Sequence, residues 1–175
     1  DDCGIITAAV RELLADRASK HANVIFWADS RTHIRLFRHV IIKPNQFEAV
    51  GHENPVPGEE VSLERLREAI PGLRKEIGAP VCATRGEHGM IVSDPEPTAV
   101  PGVRLSGPLD PTGAGDSATA GAVLALASGA TLPEAALVGC LVASITVQQL
   151  ATTGTATPAQ VLERLEMWRE QNPKA

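Results

Sequence analysis

Three short apolar segments, each followed directly by polar residues, alternate with helix-forming segments along this chain. The first ends at Ala28 and leads into Asp29-Ser30-Arg31, the second ends at Ile42 before Lys43-Pro44-Asn45, and the third ends at Thr84. Strands that alternate with helices are typical of a parallel sheet. We therefore predict an α/β fold with a mostly parallel, doubly wound sheet. In such sheets, ligands bind outside the carboxyl ends of the strands, which is where these polar residues lie.

The remaining segments fit the same alternation of strands and helices. Apolar residues recur at helical spacing, and the connections are rich in glycine and proline. With 175 residues the chain is long enough for a sizeable core, and we interpret residues 1–175 as a single domain. We predict a short helix through Glu48 and Ala49, extended segments at 90–92 and 98–103, and longer helices over 5–21, 59–77 (broken near Pro71), 113–128, 132–150 and 158–169.

The composition limits the partners of the chain. Its net charge of −5 and its 3% of aromatic residues argue against nucleic acid or an anionic membrane as the main partner. The most apolar run, residues 135–147, is shorter than the roughly 20 residues that cross a bilayer. We interpret it as a helix buried against a sheet. The cysteines Cys3, Cys82 and Cys140 are isolated, which favours small buried side chains in a reduced, cytoplasmic protein.

A glycine-rich loop with an acid at its end carries the clearest chemical signal. It runs from Asp110 to Asp116 as Asp-Pro-Thr-Gly-Ala-Gly-Asp, and a helix of small residues follows it. Glycines let backbone N–H groups approach an anion closely, and the helix adds the positive end of its dipole. An acid would repel a phosphate that is only held in place. The acid has a function here if Asp116 accepts a proton while a phosphoryl group is transferred. The loop therefore predicts a phosphotransferase.

Two other interpretations of this loop are open. Asp116 could cap its helix without any chemistry, although a cap does not require two preceding glycines. Gly113, Gly115 and Ala118 also fit the G-x-G-x-x-A pattern of dinucleotide-binding domains. That pattern should follow an apolar strand, and residues 104–108 do not form one. A Walker-type phosphate loop is excluded because the chain has no G-x-x-x-x-G-K-[ST] motif.

The chain resembles the C-terminal half of a ribokinase-like (PfkB) carbohydrate kinase. Three motifs carry the resemblance in the order of the family: Lys43-Pro44-Asn45-Gln46-Phe47-Glu48-Ala49, Thr84-Arg85-Gly86-Glu87-His88-Gly89, and the Asp110 to Asp116 loop. The resemblance covers nearly the whole chain. It implies a three-layer α/β/α fold in which this chain is the C-terminal nucleotide-binding part. The N-terminal part and the lid of the family would be absent from it.

Members of this family transfer the γ-phosphoryl group of ATP to a sugar hydroxyl. By this resemblance Asp116 is the general base, and the backbone N–H groups of Gly113, Ala114 and Gly115 form an anion hole. Phosphoryl transfer needs charge neutralised on the moving oxygens and the reactants aligned, which such a loop can provide. The resemblance thus implies a kinase with an alcohol group as acceptor.

The other two motifs would contact the nucleotide. Asn45 and Glu48 resemble the Asn-x-x-Glu element of the family, whose acid helps to hold Mg²⁺, often through water. A local alternative is that Asn45 caps a short helix and Glu48 completes a capping box. Thr84 and Gly86 match the turn that binds the ATP phosphates. Glycines at this spacing alone indicate no more than a hairpin connection.

Many members of the family also bind a monovalent cation, such as K⁺, beside the anion hole. Asp110 and Thr112 match the first part of that site. The loop of residues 152–157, which includes Gly154, would supply the rest, mainly through carbonyl oxygens.

Two details narrow the resemblance to the heptose-7-phosphate kinase branch, namely Asp29-Ser30-Arg31 and residues 154–158. The implied partners are ATP with Mg²⁺ and a sugar or sugar phosphate, and the chain is compatible with a homodimer. In the family, the residues that contact the sugar lie mainly in the half that is absent here. A non-catalytic nucleotide-binding fragment is therefore a second interpretation of the isolated chain.

Overall fold

The computed structural model describes residues 5–174, so the prediction for Cys3 lies outside the described residues. The chain divides after Thr84 into two compact units. We call residues 5–84 the first unit and residues 85–174 the second unit. The interpretation of residues 1–175 as a single domain stays a prediction.

The first unit contains the parallel strands that the sequence predicts. Strand β1 pairs in parallel with β2, so that Trp27 lies opposite Ile41, and Ile42 and Asn45 form parallel bridges with Val81 and Thr84. The ends of these extended segments therefore meet at one edge, as the pattern of polar residues indicated. The elements in chain order are α1 (Ala8–Lys20), β1 (Trp27–Ala28), a 3₁₀ turn (Ile34–Leu36), β2 (Ile41–Ile42), α2 (Gln46–Ala49), α3 (Leu63–Ile77) and β3 (Cys82–Thr84).

Helix α3 passes through Pro71 without a break, so the predicted interruption is wrong. A proline inside a helix costs about 3 kcal/mol because it removes one backbone hydrogen bond. Here both Pro71 and Arg67, whose carbonyl loses that bond, are exposed to water. The buried face of α3 continues across the proline, and each such side chain contributes about 1.5–3 kcal/mol on burial. Its members are Leu66, Ile70, Leu73 and Ile77.

The second unit combines an antiparallel strand pair with three helices. Met90 pairs with Val100 and Val92 with Thr98, so these two strands run antiparallel. Helix α5 ends four residues earlier than predicted, because residues after Thr146 bond to another loop that is described below. The elements are a 3₁₀ turn (Gly86–His88), β4 (Met90–Val92), β5 (Thr98–Val100), α4 (Ala114–Ala127), α5 (Leu132–Thr146) and α6 (Pro158–Gln171).

Helices α4 and α5 pack closely because small residues lie where they touch. A Cβ atom on Gly139 would lie 2.8 Å from the Ala118 carbonyl oxygen, and one on Gly121 would lie 2.9 Å from the Val142 side chain. Burial raises the pKa of the Cys140 thiol on α5 to about 12. Cys140 and Cys82 are both buried and belong to no disulfide, as predicted.

Leu141 of α5 belongs to the core of the second unit, together with Val103 and Trp168. The Trp168 indole N–H donates to the Pro101 carbonyl oxygen at 2.8 Å, which ties α6 to the segment after β5. In the described part of the chain, residues 5–174, no helix has the length and apolar character needed to cross a bilayer.

Replacing Leu141 by alanine should lower the free energy of unfolding by about 2–5 kcal/mol, because Leu141 is 1% exposed and its loss leaves a cavity. Leu124 of α4 is 68% exposed and gives a matched control, since Leu124→Ala should change stability by less than about 0.5 kcal/mol. Urea unfolding followed by circular dichroism measures both. Equal losses for the two variants would contradict the core that we describe.

Candidate functional site

Polar residues gather at the carboxyl ends of the strands in the first unit. Lys43 follows β2 and is only 6% exposed, and its Nζ lies 2.6 Å from the Asp29 carboxylate, which follows β1. The Lys43 N–H donates to the Ala28 carbonyl oxygen at 3.0 Å, so the parallel pairing itself brings the two residues together. The sequence did not single out Lys43 as a site residue. The available signal was an opposite-charge pair at the ends of neighbouring strands.

Asn45 and Glu48 form the capping box that was the local alternative for this motif. The Asn45 side chain accepts hydrogen bonds from the N–H groups of Phe47 and Glu48, and the Asn45 N–H donates to Glu48 Oε2 at 2.7 Å. Burial raises the pKa of the half-buried Glu48 carboxyl, and the nearby Asp29 charge acts in the same direction. The cap engages one carboxylate oxygen of Glu48. The other is a hard donor of the kind that Mg²⁺ or its bound water takes, so the residues fit the predicted metal role.

Thr84 and Gly86, the predicted residues of the middle motif, lie in different units. Thr84 ends β3 and pairs with Asn45, and its N–H donates to the Pro44 carbonyl oxygen at 2.9 Å. The structure thus brings Thr84 and Asn45 together within the first unit. Gly86 begins the 3₁₀ turn of the second unit and is exposed.

In the second unit, the glycine-rich loop turns into α4 as the sequence predicted. Gly113 is the N-cap residue and has a left-handed φ of 75°, which a glycine adopts without strain. Ala114, Gly115 and Asp116 are the first three helical residues. The Ala114 N–H donates to the Pro111 carbonyl oxygen at 3.1 Å. Within residues 5–174, no hydrogen bond engages the N–H groups of Gly113 and Gly115, which suits an anion at this helix end.

Asp116 lies in the first turn of α4 with an exposed side chain. Over the residues that the structure describes, its carboxylate accepts no hydrogen bond, and the cap position belongs to Gly113. The alternative in which Asp116 caps its helix is therefore not supported. The dinucleotide alternative is not supported either, because β5 ends at Val100 and the described residues between it and the loop form no strand.

Asp110 explains why α5 ends early. A longer helix would need a bond between the Val147 carbonyl and the Ala151 N–H. Asp110 forms hydrogen bonds with both groups instead. Its N–H donates to the Val147 carbonyl oxygen at 2.8 Å. Its Oδ2 accepts from the Ala151 N–H at 3.0 Å. Its Oδ1 accepts from the Thr112 N–H at 2.9 Å. Hydrogen bonds from the side chain and backbone of Thr112 and from Ala151 lower the pKa of the Asp110 carboxyl.

The loop that follows α5 lies against the glycine-rich loop. A Cβ atom on Gly113 would lie 3.4 Å from the Thr153 side chain. Gly154, the third residue predicted for a cation site, packs against Gln149, whose Oε1 would lie 2.9 Å from an added Cβ. The predicted residues Asp110 and Thr112 are thus joined to the predicted loop through Ala151. Sequence reasoning missed Gln149, whose side chain bonds to the backbone of Thr155, because a bond within an irregular loop leaves no periodic pattern.

Side-chain clusters do not supply a ready-made metal site. Across residues 5–174, no group of three or more histidine, cysteine, aspartate or glutamate side chains could hold a metal ion. Among the described residues, Glu48 in the first unit and Asp110 in the second carry the carboxylate oxygens that the sequence predicted for cations, and these assignments stay predictions.

Comparison with known protein families shows to which family the chain belongs. The pfkB family of carbohydrate kinases matches residues 9–160, which is most of the chain. The chain belongs to the PfkB family. Bifunctional protein HldE of Nitratiruptor sp. is 31% identical over 166 residues, which cover 93% of this chain and 34% of that protein. Inositol 3-kinase of Arabidopsis thaliana is 44% identical over 72 residues, which cover 40% of this chain and 20% of that protein.

Solved structures of the family show the same fold. Phosphofructokinase-2 from Escherichia coli in complex with potassium gives a TM-score of 0.68 at 21% identity, covering 90% of this chain and 52% of that one. Arabidopsis thaliana ribokinase complexed with ribose and ATP gives a TM-score of 0.66 at 22% identity. The match covers 89% of this chain and 53% of that one. The predicted ribokinase-like α/β fold is confirmed.

This PfkB chain spans about half the length of these kinase structures and between 20% and 34% of the curated relatives named above. Relatives named HldE agree with the predicted heptose-7-phosphate kinase branch.

Proposed function

We propose that the full-length protein containing this chain is an ATP-dependent kinase of a sugar or sugar phosphate, with Asp116 as the general base. The observation that carries the proposal is the exposed Asp116 carboxylate in the first turn of α4, one residue after the unengaged Gly115 N–H. A base and an anion-binding helix end thus occupy the same turn. Family membership supports phosphoryl transfer as the reaction class.

The N-terminus of α4 would stabilise the charge that moves during transfer. The N–H groups of Gly113 and Gly115 are available to phosphate oxygens, and the helix dipole adds positive potential at the same place. The Ala114 N–H is held by Pro111, so we expect it to contribute only if that turn opens. These groups are set before the substrate arrives, which avoids reorganisation during the reaction.

Asp116 would accept the proton of the sugar hydroxyl. A carboxylate is a weak base, but the loose transition state of phosphoryl transfer requires proton removal only late in the reaction. Solvent exposure in this chain leaves the carboxylate accessible to a hydroxyl group.

The first unit would contribute to nucleotide binding. We propose that Asn45, Glu48 and Thr84 of this unit act on ATP, with Glu48 holding Mg²⁺ through a bound water. Gly86, which belongs to the second unit, is proposed to act on ATP as well. When bound, Mg²⁺ would neutralise charge on the phosphate oxygens. Glu48 would orient that ion while its second oxygen keeps the cap on α2.

A monovalent cation such as K⁺ would bind near Asp110, Thr112 and Gly154. The hydrogen bond between Asp110 and Ala151 connects the two loops that would supply the oxygen ligands. A structural neighbour, phosphofructokinase-2, is in complex with potassium, which supports this assignment. Because the donor is ATP, we propose the cytoplasm as the compartment.

The test is a phosphorylation assay on the full-length protein with Mg-ATP and a panel of hexoses, pentoses, inositol and heptose 7-phosphate. Relatives named HldE and inositol 3-kinase motivate the acceptors. Mass spectrometry of the acceptor and coupled detection of ADP measure the reaction. Stoichiometric ADP and phosphorylated acceptor would support a kinase. Tight ATP binding with no transfer to any acceptor would instead favour the non-catalytic fragment.

Replacing Glu48 by glutamine should raise the Mg²⁺ concentration needed for half-maximal activity by about tenfold or more. Glutamine keeps an oxygen that can accept the Asn45 N–H, so the cap and the stability of α2 should survive. The measurement is an initial-rate titration with MgCl₂ at fixed ATP.

The control is Glu68→Gln, which removes the same charge from an exposed position of α3. It should leave the Mg²⁺ requirement unchanged. An unchanged requirement in Glu48→Gln as well would remove Glu48 from the metal site.

A further inference from the structure

We propose that Gln149 is a positioning residue that holds the loop of residues 150–155 in the shape required for the cation site. Its side-chain amide bonds twice to the backbone of Thr155: Nε2 donates to the Thr155 carbonyl oxygen at 2.6 Å, and Oε1 accepts from the Thr155 N–H at 3.1 Å. The Gln149 side chain thus bonds to both backbone groups of Thr155, as a paired strand would, and closes the loop. The inference rests on the proposed function, in which this loop binds a monovalent cation.

The closed loop contacts Asp110 of the proposed cation site and Gly113 of the proposed anion hole. Ala151 has a left-handed φ of 57° and donates its N–H to Asp110. Thr153 lies against Gly113, the N-cap of α4. Both contacts come from residues between Gln149 and Thr155, so their geometry depends on how the loop is closed.

Gly154 shows how tightly the Gln149 side chain fits. An added Cβ on Gly154 would lie 2.9 Å from Gln149 Oε1 and 3.0 Å from the Thr146 Cα. A Cβ does not normally approach another atom this closely, so the glycine leaves room for the Gln149 amide. Gln149 and Gly154 are therefore a matched pair within the loop.

The proposed cation site depends on the closed loop because its ligands would be mainly backbone carbonyl oxygens. A cation held by backbone oxygens depends on several peptide orientations at once, because no single side chain fixes the site. Partners that orient ligands indirectly typically change metal affinity by about 10–100-fold when removed. The loss of Gln149 should therefore weaken cation binding more than it slows the chemical step.

Gln148 provides a matched control beside Gln149. It is exposed, and its Oε1 accepts from Arg164 Nη2 at 2.6 Å, toward α6 and away from the loop. Both glutamines line an open cleft of about 450 Å³ beside α6. Gln148→Leu and Gln149→Leu therefore make the same chemical change on the same cleft, and only the second removes the bonds to Thr155.

The first readout is amide hydrogen exchange of the full-length protein without ligands. In Gln149→Leu, the peptide spanning residues 150–157 should exchange roughly tenfold faster or more, because the Thr155 and Ala151 amides lose protection. Gln148→Leu should match the wild type in that peptide. Equal exchange in all three proteins would overturn the inference without any reference to activity.

The second readout is the KCl dependence of phosphorylation, with choline chloride holding the ionic strength constant. Gln149→Leu should raise the K⁺ concentration for half-maximal activity by about tenfold or more, with kcat at saturating K⁺ close to the wild-type value. A lower kcat with an unchanged K⁺ requirement would overturn the inference. If Gln149→Leu does not fold, Gln149→Met gives the same two readouts, because methionine has nearly the length of glutamine but cannot form the two bonds to Thr155.

The wild type separates failure of this inference from failure of the proposed function. A wild-type protein without kinase activity would contradict the proposed function. An active wild type without a response to K⁺ would contradict the cation site, and Gln149 would then have no role in positioning it.

Discussion

Replacing Asp116 by asparagine is expected to lower the turnover of the full-length kinase by about 10²–10⁴-fold while ATP binding survives. Asparagine has almost the same shape but cannot accept the proton of the sugar hydroxyl. The Asp116 side chain is exposed and bonds to none of residues 5–174, so its replacement disturbs no contact of the fold. Steady-state rates and ATP titration by calorimetry measure the two effects.

Glu170→Gln is the control for Asp116→Asn. Glu170 is an exposed acid of α6, so the variant removes one negative charge from the same unit at another place. Its turnover should match the wild type. A rate for Asp116→Asn within about threefold of the wild type would show that another group removes the proton, since a general base contributes far more than that.

Replacing Gly89 by alanine should destabilise the protein by about 4 kcal/mol or more. Gly89 has φ 88° and ψ −132°, a conformation that only glycine adopts readily. An added Cβ would also lie 2.2 Å from the Val100 carbonyl oxygen and 2.4 Å from the Gly102 nitrogen. Both clashes are with backbone, which cannot move aside as a side chain could. Thermal and urea unfolding measure the loss.

Gly86→Ala is the matched control for Gly89→Ala. Gly86 lies in the same turn with a φ of 57°, but an added Cβ would meet no atom within 4 Å. We expect a loss of only about 1–2 kcal/mol, which is the cost of a left-handed alanine. Similar losses of stability in the two variants would show that the left-handed backbone conformation sets the cost. They would contradict a clash between an added Cβ at Gly89 and the neighbouring backbone.

The sequence predicted the elements of the fold well because their signals are local. Apolar runs such as the one that ends at Ala28 and the polar residues after them predicted parallel strands and their common edge, and β1 and β2 pair in that way. The helix boundaries were harder. Pro71 indicated a break in α3, but the buried face on both sides of it stabilises a continuous helix.

The candidate site was predicted in part. The motif positions Asn45, Glu48 and Asp116 came from the sequence, and the structure adds that Asn45 and Glu48 form a capping box while Asp116 forms none. A capping box and a metal-binding pair share one sequence pattern, so the sequence could not separate the two roles. The roles of these residues in catalysis stay predictions.

Contacts made by loop residues were the main omission. Asp110 takes both partners of a hydrogen bond that would have extended α5, and Gln149 closes the loop that follows. The Asp110 bonds depend on where the chain returns in space, and the Gln149 bonds depend on the conformation of an irregular loop, so neither leaves a periodic pattern in the sequence. The Lys43–Asp29 pair was missed for a similar reason, since it forms only when β1 and β2 lie side by side.

Ala151 has a further consequence for how the second unit is built. An alanine with a left-handed φ of 57° costs roughly 1–2 kcal/mol in local conformational energy, and glycine would avoid that cost. Glycine would also let the unliganded chain sample many other shapes. The alanine therefore lowers folding stability slightly and narrows the range of conformations before any ligand arrives, so that less entropy is lost on binding.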